Sequence, residues 1–68
     1  MKSVESKKML EELSGILRAR CIEAAREGFQ DASMSGLCSE GAMEASIGAI
    51  QSLDIKNFVT DYLNEQSE

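Results

Sequence analysis

Cys38 is the residue in this chain best placed for chemistry. It stands between Gly36 and Ser39, just ahead of a predicted helix start. Free amides and the helix dipole at such a place favour the thiolate and lower a thiol pKa. Cys38 is therefore a candidate reactive thiol, and a protein using it would handle thiols or acyl groups. Two features oppose this. Glu40 puts a negative charge close by, and the chain has no histidine to act as base. The simpler expectation is a small apolar residue packed beneath the loop. For Cys21, on a helix beside an apolar stripe, that expectation is stronger still. A Cys21–Cys38 disulfide would need an oxidising compartment.

Other groupings offer less. Glu40 and Glu44 are one turn apart, but no histidine or further acid joins them on that face. They make a poor metal or acid–base pair, and a solvated face is expected. Ser35, Gly36, Ser39 and Gly41 could turn backbone amides toward an anion. Neither Gly-Lys-Ser/Thr nor GxGxxG is present, and no lysine or arginine adjoins them. No catalytic, metal or cofactor-binding residue is assigned.

The element that would position these groups spans residues 39–53. At 100° per residue it sorts into three strips. Met43, Ile47, Ile50 and Leu53 form a large apolar strip, expected to fill the core. Gly41, Ala45, Gly48 and Ser52 form a small one, beyond Ala42 and Ala49. Glu40, Glu44 and Gln51 form a narrow polar one. A surface helix has one apolar stripe and a broad polar face, so this segment reads as a central helix gripped on two sides. An interior glycine costs ~1 kcal/mol relative to alanine. Close approach of another backbone would offset that cost at Gly48. Gly41, Ala42, Ala45, Gly48 and Ala49 are thus the expected interaction surface.

The other elements follow from periodicity and caps. Ser3 or Ser6 caps a first helix over about 4–27, with Leu10, Leu13, Leu17 and Ala24 at three- and four-residue steps and Gly28 as its stop. Arg20 interrupts that stripe. Its expected role is a packed stem with a wet head; the sharper alternative is an ion pair with Glu23, Glu27 or a carboxylate of the central helix. Arg20 and Glu44 are candidate orienting charges. Asp31 caps a short helical turn over about 31–35, and Gly36 ends it. Ser39 is the expected N-cap of the central helix. Asp54 caps a last helix over about 54–65, where Ile55, Phe58, Val59, Tyr62 and Leu63 make the clearest amphipathic signature. Residues 1–3 and 66–68 are expected to fray. The predicted fold is all-α: three main helices plus a short turn, a small bundle in one domain.

Composition limits the function. A chain of 68 residues is marginally stable alone and needs staples, partners or unusually good packing. Without histidine the usual zinc-finger ligand sets are out of reach. The net charge of -5 disfavours nucleic acid and anionic membrane as partners. Basic residues lie mostly before Gly28 and acidic ones after it, so the N-terminal half could meet the C-terminal half of a second copy. The start MKSVESKKML lacks the apolar core of a signal peptide, and a cytoplasmic setting is expected.

Two resemblances complete the reading. Gln51-Ser52-Leu53-Asp54 resembles the Asp-Ser-Leu motif of acyl carrier proteins, which are also short, acidic and helical. The match departs at Gln51, places Ser52 at a helix end and leaves one helix after it. Phe29-Gln30-Asp31-Ala32 followed by GLCSEGAMEASIGAIQSLD resembles a family of short bacterial helical proteins, some labelled acetyltransferase. That resemblance implies a small helical fold in a bacterial cytosol. It implies no activity, since an acetyltransferase sheet and pyrophosphate loop do not fit this chain. The function expected is a small non-catalytic module for protein interaction or regulation, acting as a homodimer or on a protein partner. The alternatives are a thiol- or acyl-handling protein using Cys38, or an accessory subunit of a larger enzyme complex.

Overall fold

A computed structural model describes residues 3–66, with side chains from residue 6. It contains three helices: α1 (Ser3–Met34), α2 (Ser39–Gln51) and α3 (Ile55–Gln66). The all-α expectation stands, and no strand occurs among the described residues. The expected fraying concerns residues mostly outside that range; Ser3 and Gln66 themselves are helical.

The first helix corrects the sequence reading. It does not stop at Gly28 but continues to Met34 and absorbs the separate turn expected over 31–35. The true stop is Gly36, whose φ of 97° is open to glycine at little cost. The amide of Leu37 donates to the Ala32 carbonyl at 3.0 Å, and that of Gly36 to the Ser33 carbonyl at 3.0 Å. This pair of bonds is a Schellman motif, which satisfies carbonyls the helix end would leave unpaired.

Residues 19–53 form one compact unit, an antiparallel helical hairpin made by the second half of α1 and by α2. Its seam is built from small residues. Cys21, Ala24, Ala25 and Gly28 are half-buried on α1, and Ala32 is buried. On α2, Ala42 is fully buried, with Ala45, Ser46 and Ala49 half-buried beside it. The approach is closest at Gly28. A Cβ added there would lie 2.8 Å from the Ala45 carbonyl oxygen and 3.0 Å from the Ala49 Cβ. Gly28 is thus a packing glycine inside a helix, where the sequence suggested a stop signal.

Residues 3–18 with 54–66 form the other unit. Asp54 caps α3 as expected, its Oδ1 accepting from the Asn57 amide at 3.1 Å and its carbonyl from the Phe58 amide at 3.1 Å. Tyr62 is buried in this unit, and its hydroxyl donates a hydrogen bond to Oε1 of Glu12. A shallow apolar groove of about 260 Å³ is lined by Ser6, Met9, Leu10, Leu13, Tyr62 and Leu63.

Candidate interaction surface

The small strip of α2 does make a close backbone contact, but with the chain's own α1. Ala42 is fully buried inside the hairpin, and Ala45 and Ala49 lie against Gly28. A Cβ at Gly41 would meet the Leu37 side chain at 3.4 Å, an ordinary contact within the same unit. Gly48 behaves differently. A Cβ there would meet nothing within 4 Å, so no close approach inside the chain offsets its helix cost. The expectation that Gly48 admits a neighbouring backbone is corrected for the single chain. The glycine that does so is Gly28.

The large strip is corrected as well. Instead of filling a core, Met43 is 58% exposed and Ile47 49% exposed, while Ile50 and Leu53 are half-buried. The physical reason is the complementarity of the two small faces. Ala24, Ala25, Gly28 and Ala32 on α1 fit the alanines of α2, so the large side chains are turned away from the seam.

Those side chains collect on one side. On α1, Ile22 and Phe29 are seven residues apart and share a face about 90° from the seam. On α2, Met43 and Ile50 lie about 110–130° from the seam, with Ile47 just beyond them. Because the helices run antiparallel, these angles open toward the same side of the hairpin. Ile22, Phe29, Met43, Ile47 and Ile50 therefore form one apolar face. The opposite side carries Arg20, Glu27, Asp31 and Glu44, all exposed. Arg20 and Glu44 thus stand on the charged side, away from the apolar face.

Cys38 is placed one step differently from expectation. It is itself the N-cap of α2, with φ −72° and ψ 173°, and Ser39 is the first helical residue. It is exposed rather than packed beneath the loop, while Cys21 is half-buried, and both thiols are free. The sulfur makes no capping hydrogen bond as a thiol. The amides of Gly41 and then Glu40 favour its thiolate and hold its pKa below the ordinary 9.0. Iodoacetamide should therefore label Cys38 at lower pH than an ordinary thiol, with the half-buried Cys21 trailing. Mass-spectrometric labelling of each cysteine across pH checks this. A Cys38 profile matching that of free cysteine would contradict it.

Among the described residues, no group of three His, Cys, Asp or Glu side chains could hold a metal ion. No described helix is long and apolar enough to cross a membrane. No protein-family model, curated protein or solved structure matches this chain.

Proposed function

We propose that this chain is a small non-catalytic protein-interaction module that associates with itself as a homodimer. One observation carries the reading. Among the described residues, only Ala32, Ala42 and Tyr62 are buried apolar residues, whereas ten large hydrophobic side chains are at least 38% exposed. Scattered exposed hydrophobics are normal, but a contiguous face of them marks a contact site. A small domain that buries so little of its own apolar surface gains stability by association. The resemblance of residues 29–32 and 36–54 to short bacterial helical proteins supports a bacterial cytosolic setting for such a module.

The test is the melting temperature as a function of protein concentration. Association of folded chains stabilises by mass action, so the melting temperature should rise with concentration. A cooperative melt independent of concentration, with a monomeric mass throughout, would overturn self-association. A helical signal with no cooperative melt would do the same, and would favour a subunit that folds only within a larger complex.

The exposed Cys38, with its pKa lowered, supports a second reading as a thiol- or acyl-handling protein. Labelling no faster than free cysteine near neutral pH would remove it.

A further inference from the structure

We infer that α3 is a strap over the first half of α1. It lifts as one piece, hinged between Leu53 and Asp54, while the hairpin stays closed, and so uncovers the apolar stripe Met9, Leu13 and Leu17. The inference stands apart from the self-association reading. Three observations point to it.

The first is how little holds α3 down. Among the described residues of its unit, Tyr62 alone is buried; Phe58 and Val59 on α3 and Met9, Leu13 and Leu17 on α1 are half-buried. The flanking large residues, Leu10, Ile16, Ile55 and Leu63, are exposed. The hairpin is closed differently. Its helix backbones come so near at Gly28 that a Cβ would lie 2.8 Å from the Ala45 carbonyl oxygen, and Ala32 and Ala42 are buried. Segments with few buried apolar contacts are the first to open.

The second is that α3 depends on α1 to be a helix. It has 12 residues, and isolated helices shorter than ~12–15 residues are marginal in water. Apart from the Asp54 cap its ends are unfavourable: the first turn carries no acid, the last turn no base, and Glu65 stands there instead. Leaving α1 and losing the helix are therefore one event. The second half of α1 is fixed in the hairpin seam, and lengthening an existing helix avoids the cost of a nucleus. The uncovered stripe stays helical, and its four-residue steps keep Met9, Leu13 and Leu17 on one face.

The third is the hinge. The boundary between the two units falls between Leu53 and Asp54. Hydrogen bonds on either side close within their own segment. The Ser52 amide donates to the Gly48 carbonyl at 3.0 Å and the Leu53 amide to the Ile50 carbonyl at 3.1 Å, which finishes α2, while Asp54 caps α3. A rotation between Leu53 and Asp54 breaks none of these bonds.

Native-state hydrogen exchange of the full chain, read by NMR, tests the strap. The amides of Val59, Tyr62 and Leu63 should share one protection factor, at least about tenfold below those of Ala45 and Ala49. Equal protection in α3 and the hairpin would mean that the chain opens in a single step, and would overturn the inference. A gradual fall in protection from Val59 to Leu63 would mean fraying, and would overturn it too. Methionine oxidation by dilute hydrogen peroxide reads the uncovering itself. In Tyr62→Ala, half-buried Met9 should oxidise several-fold faster, approaching Met34, which is 85% exposed, while Met43 on the hairpin keeps its rate. An unchanged Met9 rate in that variant would contradict the uncovering. Should Tyr62→Ala not fold, the exchange pattern of the unmodified chain decides alone.

Discussion

Gly28→Leu is expected to separate the hairpin helices and lower the melting temperature by about 10–20 °C, the shift that a loss of ~2–3 kcal/mol produces in a domain this small. The first atom of any side chain at this position would already lie 2.8 Å from the Ala45 carbonyl oxygen, part of a helix backbone that cannot rotate away. Alanine at Gly28 gains ~1 kcal/mol of helix propensity, set against that clash. Leucine gains the same propensity and adds three more carbons to a seam that holds only small residues. Stability for a chain of 68 residues is roughly 3–10 kcal/mol in all, so the loss is a large fraction of it. Thermal unfolding followed by circular dichroism is the measurement. Gly48→Leu is the control within the same unit, because a Cβ there meets nothing within 4 Å. Equal melting temperatures for Gly28→Leu and the unmodified chain would contradict the small-residue seam.

Tyr62→Ala is the second large effect, expected to lower the melting temperature by roughly 10–20 °C, as removal of a buried aromatic does in small domains. Tyr62 is the one buried apolar residue among the described residues of its unit and forms a wall of the groove beside Leu10 and Leu13. Its loss would leave α3 with only half-buried Phe58 and Val59 facing inward. Tyr62→Phe separates packing from the hydrogen bond to Glu12. It should cost much less, since Glu12 is exposed and water replaces the hydroxyl. The same bond predicts an alkaline effect. The hydrogen bond to Glu12, then burial and then the Glu12 charge, raise the Tyr62 pKa above its ordinary 10.0. A raised pKa means that the folded state holds its proton more tightly than the unfolded one. The stability this contributes is fully present below the unfolded value and is lost as pH rises through the folded one. Melting curves of the unmodified chain should therefore fall above pH 10 relative to those of Tyr62→Phe. Parallel curves would show that the bond is absent in solution.

Local rules made much of this fold legible. The Asp54 cap, the Gly36 stop and the amphipathic stripe of α3 each depend on residues within one or two turns, and each is found where the sequence suggests. Gly28 reads as a stop in the sequence because a glycine that ends a helix and one that admits a neighbour look alike locally. The difference lies in Ala45 and Ala49, 17 and 21 residues away. Likewise, periodicity showed that α2 has two contact faces but not which of them turns inward. That choice was made by the small face of α1, whose Ala24, Ala25 and Ala32 match the alanines of α2. The bond from Tyr62 to Glu12 joins residues 50 apart and left no local trace. At Cys38 the helix start was legible to within one residue. Its exposure was not, because that depends on how the loop sits over the hairpin.

The hairpin therefore directs small residues inward and large ones outward, which is intelligible if the outward face has an occupant of its own kind. The mass of the native species in dilute buffer, measured by light scattering or native mass spectrometry, tests that claim most directly. The expected result is twice 7.4 kDa at micromolar concentration, shifting to a single chain in Ile47→Glu. A single well-folded chain of 7.4 kDa at every concentration would contradict it.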